Sequence, residues 1–149
     1  MSVSEKFSPR LLRPYSGDPW DVDAYCRQGG YEAWLSCLKS ADPQKTIDTL
    51  KEAHLRGRGG AGFPTGLKWD KVLHHRIKEH YFVCNAGEHE PGTFKDRYLL
   101  RHYPHQLLEG CLIAAYTVGA KKAYIYLNHE FEEERAHFQR AKDAAQNKG

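Results

Sequence analysis

The densest group of residues able to do chemistry is the glycine-rich segment 55–69, LRGRGGAGFPTGLKW. Five glycines fall within ten residues of it, namely Gly57, Gly59, Gly60, Gly62 and Gly66. Glycine is costly in backbone entropy, so this density indicates unusual φ and ψ values or a ligand pressed against the main chain. Bare amides in a row form an anion-binding concavity, and Arg58 and Lys68 add positive charge beside it. The segment therefore predicts a cradle for a phosphate-bearing or flavin-like ligand.

Two familiar phosphate-binding patterns do not describe this segment. Gly57, Gly59 and Gly62 satisfy G-x-G-x-x-G, but the dinucleotide fingerprint follows a strand and opens a helix. Here the glycines follow a helical pattern, and Pro64 falls where the next helix would run. A P-loop fails as well, because its Gly-Lys-Ser/Thr ending is absent. A nucleotide or flavin cradle of another kind remains, with a tight structural glycine turn as the alternative.

A second polar segment, 84–97 with the sequence CNAGEHEPGTFKDR, follows directly on a predicted strand. Ligands gather at the carboxyl ends of strands in open α/β sheets, so this position predicts a binding segment. Asn85 offers a donor and an acceptor to the edge of a heterocycle. Glu88 and Glu90 could bind ribose hydroxyls or a nicotinamide amide. The alternative is a solvated acidic turn without a ligand.

Two short strands must position these segments. Apolar runs predict them at 81–85 (YFVCN) and 123–128 (AYIYLN). Between them, Pro104 opens a helical pattern that Gly119 closes. The order strand, helix, strand, helix predicts a βαβ unit with a parallel sheet.

Further helices are predicted on both sides of this unit. Apolar residues at helical spacing, together with candidate capping residues, indicate them. They are expected at 31–40, at 42–54 with Asp42 as the cap, at 65–73 with Thr65 as the cap, at 93–101 from a Thr93–Asp96 capping-box-like pair, and at 131–146.

The first thirty residues lack a periodic apolar pattern, and six prolines and glycines interrupt them: Pro9, Pro14, Gly17, Pro19, Gly29 and Gly30. Prolines and glycines at this frequency predict irregular structure without helices or strands. We therefore expect residues 1–30 to form an extension that lies over the domain or over a partner. The first twenty residues contain no apolar core of a signal peptide, so secretion by that route is not expected.

Composition excludes several classes of protein. Twenty-two Lys and Arg against 19 Asp and Glu give a net charge of +3, without the clustered positive charge of a nucleic-acid-binding arm. No stretch approaches the ~20 apolar residues of a membrane span. The chain is therefore expected to bind no nucleic acid and to insert no segment into a membrane.

The cysteines and histidines do not have the spacing of a metal site. Cys26, Cys37, Cys84 and Cys111 include no C-x-x-C pair, so neither a zinc site nor an iron–sulfur cluster is expected on this chain. Four reduced thiols that pack as small apolar side chains are the expectation. The nine histidines match neither H-E-x-x-H nor a zinc finger.

Taken together, these segments resemble one family. LRGRGGAGFPTGLKW, then CNAGEHEPGTFKDR, PHQLLEG and AYIYLNHEF, resembles the NADH-binding, FMN-carrying subunit of respiratory complex I, that is, of NADH-quinone oxidoreductase. NAD-dependent hydrogenases and formate dehydrogenases contain relatives. The resemblance implies an α/β, Rossmann-like FMN/NADH-binding domain with a parallel sheet and an N-terminal helical segment. It covers residues 31–149, which would be the N-terminal part of that domain.

The resemblance also implies site residues and a reaction. The residues that would line FMN are Gly57, Arg58, Gly59, Lys68, Asn85 and Glu88. Those that would face NADH are Gly60, Phe63, Lys68 and Glu90. The implied activity is an NADH:acceptor (quinone) oxidoreductase, in which hydride passes from the nicotinamide to the flavin and electrons leave singly for iron–sulfur clusters of partner subunits. That step needs no catalytic acid or base, and the cation of Lys68 would tune the flavin electrostatically.

Two departures from the family pattern bear on this expectation. The family reads Asn-Ala-Asp-Glu where this chain has Gly87 in place of the aspartate, which predicts a higher flavin potential because one negative charge is missing. His89 is also unusual and could titrate near neutrality. The family's second flavin-binding segment is absent, so the chain looks truncated and another chain would have to complete the site. A non-catalytic paralogue that binds a nucleotide or a partner protein is the alternative.

The resemblance implies a location as well. Relatives work in a multisubunit complex, so the chain is expected in the cytoplasm, peripheral on the cytoplasmic face of the inner membrane as part of such a complex.

Overall fold

The computed structural model describes Leu12 and residues 17–77 and 79–149. In this part of the chain seven helices and two strands follow one another: α1 (Val22–Arg27), α2 (Glu32–Ser40), α3 (Pro43–Glu52), α4 (Thr65–Leu73), β1 (His80–Ala86), α5 (Lys95–His102), α6 (Pro104–Thr117), β2 (Ala120–Leu127) and α7 (Glu132–Lys148). None of these helices is both long and apolar enough to cross a bilayer.

The centre of the fold is a two-stranded parallel sheet of β1 and β2. Helices α5 and α6 form the connection between the strands, so the predicted βαβ unit and parallel sheet are confirmed. The inner face of the sheet packs on a core that includes Ala86, Leu100, Phe131 and Phe138. The sheet thereby brings the carboxyl ends of both strands to the same edge.

The outer face of the sheet is bare in the described part of the chain. Tyr81 and Val83 of β1 and Tyr124 and Tyr126 of β2 are each at least 50% exposed. Val83 pairs with Tyr124 across the strands, and the rings of Tyr81 and Tyr124 are 6.4 Å apart. We call these four residues the outer aromatic face.

Helices α3 and α4 pack closely because Gly66 has no side chain. A Cβ atom at Gly66 would lie 2.8 Å from Cγ of Lys51 and 3.1 Å from the carbonyl oxygen of Ile47. Lys51 Nζ also donates a hydrogen bond to Asp70 Oδ2 (2.9 Å), which joins the two helices. This glycine of the glycine-rich segment is therefore used for helix packing.

The expected irregular segment contains one helix, so that prediction is wrong for α1. The Asp21 side chain caps this helix, accepting hydrogen bonds from the backbone N–H groups of Asp23 and Ala24 at 2.8 and 3.0 Å. A six-residue helix with a single buried side chain, Ala24, leaves almost no periodic pattern to detect. Pro9 and Pro14 lie outside the described residues.

A buried polar network holds the segment around α1 on α6. Glu109 Oε2 accepts hydrogen bonds from the Tyr25 hydroxyl (2.6 Å) and the Tyr31 amide (3.0 Å). His105 contacts the Trp20 carbonyl oxygen through Nε2 (3.0 Å) and the Tyr31 hydroxyl through Nδ1 (2.9 Å). Since a carbonyl can only accept, Nε2 carries the proton and Nδ1 accepts from Tyr31. Burial lowers the pKa of His105, which favours this neutral form.

Candidate functional site

A polar cleft of about 380 Å³ lies just beyond the carboxyl ends of β1 and β2. Its walls are residues 88–94, Arg97 and residues 128–130. The first group follows β1 and the last follows β2, so both strands deliver polar side chains to one place. This is where ligands bind in open α/β sheets.

Glu88 is the best-defined acid of the cleft. It is only 5% exposed, and its Oε1 accepts a hydrogen bond from the backbone N–H of Asp96 (3.0 Å) in the first turn of α5. The other oxygen, Oε2, is buried and has no hydrogen-bond partner among the described residues. Buried polar atoms are normally paired, so Oε2 is available to a ligand that carries a hydroxyl or amide donor.

Glu88 also explains the start of α5. The sequence predicted a Thr93–Asp96 capping-box-like pair, but the helix begins at Lys95, and Phe94 at its N-cap makes no side-chain capping bond. The carboxylate of Glu88, eight residues before Asp96 in sequence, caps the helix instead. The N-terminus of a helix favours a nearby negative charge. The alternative interpretation, a solvated acidic turn, is therefore wrong for Glu88, because this side chain is buried. Glu90 is exposed.

Arg97 forms the cationic side of the cleft, and the sequence did not single it out. Its guanidinium group lies over the rings of Phe94 (5.5 Å) and Phe131 (5.0 Å). Its Nε is buried and, within the described residues, has no hydrogen-bond partner. A guanidinium held by two aromatic rings is a fixed positive charge that can recognise an anionic ligand group.

Asn128 ties the second strand to the first at this edge. Its Nδ2 donates a hydrogen bond to the Glu88 carbonyl oxygen (3.0 Å) and lies 3.3 Å from His89 Nδ1. Asn128 directly follows β2, as Asn85 lies near the end of β1. Ligands gather at the carboxyl ends of strands in open α/β sheets, and the same argument that predicted Asn85 and Glu88 after the first strand would also have predicted Asn128 after the second.

Asn85 and Gly87 form a tight turn covered by Tyr126. The Asn85 Oδ1 accepts a hydrogen bond from the Gly87 amide (3.1 Å), which is an Asx turn. A Cβ atom at Gly87 would lie 2.5 Å from Cε1 of Tyr126. The ring of Tyr126 thus occupies the space into which an aspartate at position 87 would project.

The glycine-rich loop is a separate, open structure. The Gly57 amide donates to the Phe63 carbonyl oxygen (2.9 Å), which closes the base of the loop. Gly60 and Gly62 have φ values of +102° and +60°, as the glycine density predicted. A Cβ atom at Gly59, Gly60 or Gly62 would meet no atom of the described residues within 4 Å. Bare main chain therefore faces open space.

The predicted site side chains of this loop are exposed. Phe63 is 46% exposed, with Lys71 Nζ 5.6 Å from its ring centroid. Arg58 lies in the loop and Lys68 in the first turns of α4, and both are exposed. The two basic side chains can therefore reach a ligand in front of the loop.

The structure groups the predicted site residues into two sets. Glu88 and Glu90 line the polar cleft, and Asn85 lies beside it at the end of β1. The other six are not among the residues that line this cleft: Gly57, Arg58, Gly59, Gly60, Phe63 and Lys68. In the described residues, no group of three or more potential metal ligands is found.

Comparison with known protein sequences gives a consistent set of relatives. Residues 50–149 match the family model Complex1_51K, described as the Nuo51 FMN-binding domain. A subunit of NADH-quinone oxidoreductase from Rickettsia typhi (strain ATCC VR-144 / Wilmington) is 52% identical over 141 residues, 93% of this chain and 33% of the relative. The equivalent NADH-quinone oxidoreductase subunit in Rhizobium meliloti (strain 1021) is 46% identical over 126 residues, 84% of this chain and 30% of the relative. The chain thus spans about a third of the length of these relatives.

Two solved structures are similar in fold, and both are of NAD⁺-reducing NiFe-hydrogenase. The H₂-reduced state matches with a TM-score of 0.67 and 43% identity, covering 70% of this chain and 18% of that chain. The air-oxidised state matches with a TM-score of 0.68 and 37% identity, covering 89% and 24%. The predicted α/β fold class and the predicted resemblance to NADH-quinone oxidoreductase and to NAD-dependent hydrogenases are thereby confirmed.

Proposed function

The chain belongs to the Complex1_51K family of Nuo51 FMN-binding domains, and from this premise we propose that it forms part of an NADH-oxidising flavin module. The module would bind FMN and NADH and work within a multisubunit oxidoreductase. The match spans both motif segments, the glycine-rich loop and the segment after β1. The observation that carries the proposal furthest is the open main chain of the glycine-rich loop.

The residues present fit an FMN in two respects. The loop leaves open space beside its main chain at Gly59 and Gly60, and the exposed side chains of Arg58 and Lys68 lie in and just after the loop, which suits a phosphate. At the sheet edge, Oε2 of Glu88 has no hydrogen-bond partner in the described part of the chain and is an acceptor for a hydroxyl or amide donor. A ligand with a phosphate, a hydroxylated chain and a polar ring has both kinds of group.

We assign the protein groups as follows. Gly57, Arg58 and Gly59 would hold the phosphate end of FMN, and Asn85 and Glu88 its polar groups near the sheet. Gly60, Phe63 and Glu90 would face NADH: Phe63 offers an apolar surface and Glu90 accepts hydrogen bonds from hydroxyls. The cation of Lys68 would serve both ligands and stabilise negative charge on the reduced cofactor. These residues bind and orient; none is needed to move a proton.

When bound, FMN supplies hydride acceptance and the release of single electrons, chemistry that belongs to the cofactor. The relatives are named as subunits of NADH-quinone oxidoreductase, which supports an assembly with other subunits. Iron–sulfur subunits would receive the electrons. We also propose a cytoplasmic location, peripheral to the inner membrane through that assembly.

The proposal is tested by ligand binding to the purified chain. FMN is titrated against the protein and its fluorescence quenching followed, and NADH is then added while flavin absorbance is recorded without oxygen. Lys68→Met should weaken FMN binding about tenfold, equivalent to ~1.4 kcal/mol. Lys71→Met, a change on the same helix at a residue not assigned to the ligand, should leave it unchanged.

Each result of this experiment has a clear meaning. Saturable FMN binding followed by bleaching with NADH supports the proposal. Binding of both ligands without bleaching supports the alternative, a nucleotide-binding paralogue without redox chemistry. Binding of neither ligand, with or without the other subunits, would overturn the proposal and would leave only the paralogue that binds a partner protein.

A further inference from the structure

A second cavity, of about 450 Å³, lies between α1, α2, α6 and α7. Its walls are mainly apolar, and they include Val22, Trp34, Leu35, Leu38, Leu108 and Leu112. Small-molecule sites are typically concave, mostly apolar and ~300–1,000 Å³ in volume, so this cavity has the size and the lining of such a site. None of the site residues predicted from the sequence is among its described lining residues, so the proposed flavin function does not use it.

The wall that α2 contributes is held in place by α6. Glu109 accepts hydrogen bonds from the Tyr31 amide at Oε2 (3.0 Å) and from the Trp34 amide at Oε1 (3.1 Å). The rings of Trp34 and Tyr116 meet edge to face, with their centroids 5.7 Å apart. Tyr31 has a φ of +62°, which is uncommon for a residue other than glycine, and its hydroxyl group is hydrogen-bonded to His105. The cavity is therefore formed before a ligand arrives, which reduces the ordering cost of binding.

Apolar surface is exposed at the mouth of this cavity. Leu35 and Leu38 both line it, and they are 59% and 42% exposed. Removing apolar surface from water is favourable, so a ligand with an apolar group that covers these two side chains gains binding energy.

The mouth is also positively charged. Helix α7 contributes Lys142 and Lys148, and no acidic side chain is among the described lining residues. Lys148 pairs with Asp23 of α1. Lys142 Nζ lies 3.9 Å from Oδ1 of Asp143, the next residue in sequence, and 45% of the lysine side chain is exposed. Lys142 is therefore the cation better placed to meet an anionic group of a ligand.

We propose that this cavity binds a small amphipathic anion, an alkyl chain that ends in one carboxylate. The chain lies between the apolar side chains of α1, α2 and α6, and the carboxylate pairs with Lys142 at the mouth. An extended peptide fits less well, because it brings an amide and a carbonyl group for every residue against walls with few polar partners. An alkyl carboxylate has all its polar atoms at one end. The site does not depend on the proposed flavin function, and its test needs no flavin.

The test is calorimetric titration of the whole purified chain with decanoate, below the concentration at which decanoate forms micelles. We expect one saturable site, with binding about fourfold stronger for each methylene added from hexanoate to decanoate, equivalent to ~0.8 kcal/mol per buried methylene. Lys142→Glu should weaken decanoate binding about tenfold, because an attraction is replaced by a repulsion, and should leave binding of uncharged 1-octanol unchanged. Lys45→Glu is the matched control: it makes the same change of charge at an exposed lysine of α3, and it should bind decanoate as the parent does.

Cys26 shows where decanoate binds. It is a partly exposed free thiol that lines the cavity, whereas Cys37, also partly exposed, is not among the described lining residues. Decanoate should therefore slow the alkylation of Cys26 by iodoacetamide, followed by mass spectrometry, and leave that of Cys37 unchanged. No saturable binding, equal protection of both thiols, or parent-like binding by Lys142→Glu would overturn the proposal. Protection of Cys26 by a partner subunit but not by decanoate would also overturn it, and would make the cavity a protein interface.

Discussion

Glu88 combines a structural and a binding task in one carboxylate. Oε1 caps α5, and Oε2 stays without a partner among the described residues. The cap fixes the position of the side chain, so Oε2 cannot turn toward water to satisfy itself. A ligand that donates to Oε2 would therefore contact an acceptor already held in place, which reduces the ordering cost of binding.

Gly87 and Tyr126 should be considered as a pair. The ring of Tyr126 is 57% exposed and lies where a side chain at position 87 would begin. An aspartate at this position is sterically possible only if the ring turns toward solvent. Gly87 therefore has two consequences. The negative charge of an aspartate is missing, and the ring of Tyr126 can lie close to the backbone at position 87.

Gly87→Asp should lower the potential of bound flavin. The added negative charge disfavours the reduced, more negative cofactor, and an interaction of ~1.4 kcal/mol corresponds to about 30 mV for a two-electron couple. A redox titration of the flavin-loaded protein measures the shift. Gly87→Asn brings the same displacement of Tyr126 without the charge, so it should move the potential less. Equal potentials for the parent and Gly87→Asp would contradict the prediction.

The site residues near a strand end were predictable from the sequence, and those that depend on contacts through space were not. Asn85 ends an apolar run and Glu88 and Glu90 follow it, so the sequence alone predicts that they lie at the edge of the sheet. Arg97 gains its fixed position from two rings, one of them on the far side of β2 in sequence. No local pattern contains that information.

Among the elements, α3 and α4 depend most directly on a single residue. Gly66 lies in the first turn of α4 with backbone atoms of α3 at close range. The ion pair of Lys51 with Asp70 adds to this contact and lowers the pKa of the aspartate. The glycine-rich loop enters α4 directly, so the packing of these helices also positions the loop.

Gly66→Ala should destabilise the protein by about 1–3 kcal/mol, the usual cost of overpacking. The new methyl group would lie 3.0 Å from the Lys51 backbone nitrogen, so the helices must move apart. Gly110→Ala is the matched control: Gly110 is an exposed residue within α6 with open space around it. There alanine should stabilise by ~1 kcal/mol through helix propensity. Denaturant unfolding compares the two; a neutral Gly66→Ala would contradict the prediction.

The element boundaries show which physical signals the sequence carries. Asp42 followed by Pro43 predicted the start of α3, and the Asp42 side chain does accept hydrogen bonds from Gln44 and Lys45. By contrast, β2 begins at Ala120, three residues before its prediction, because Gly119 (φ +65°) leads from α6 into a strand whose second and third residues are Lys121 and Lys122. Charged residues at a strand end hide the apolar pattern.

At the scale of the whole molecule, the N-terminal segment is attached to the C-terminal helix as well as to α6. Trp20 lies 4.1 Å from the His137 ring and beneath the guanidinium of Arg140 (4.9 Å). Lys148 near the end of α7 pairs with Asp23 of α1. The described part of the N-terminal segment therefore belongs to the packed domain.

The stability of this attachment should fall as the pH decreases below about 6.5, the ordinary pKa of histidine. His105 has a lowered pKa in the folded state, so its contribution is complete above that pH and is lost toward the folded-state pKa. One titrating group changes the free energy of unfolding by at most ~1.4 kcal/mol per pH unit. Urea unfolding between pH 7 and 5 measures it.

Two variants separate His105 from the other histidines. His105→Gln keeps a donor for the Trp20 carbonyl but does not titrate, so its unfolding free energy should vary less between pH 7 and 5. His129→Gln, an exposed histidine, should behave as the parent. An identical pH dependence for all three proteins would contradict the assignment.

The outer aromatic face also affects how strongly molecules of the protein attract one another in solution. A parallel sheet is normally covered on both faces, whereas here four large side chains meet water on one of them. The isoelectric point is about 8.6, so little net charge keeps molecules apart in mildly alkaline buffer. We expect second virial coefficients from light scattering to become most negative near that pH and to recover when Tyr81 and Tyr124 are replaced by threonine. Values independent of both pH and substitution would show that this face is not adhesive.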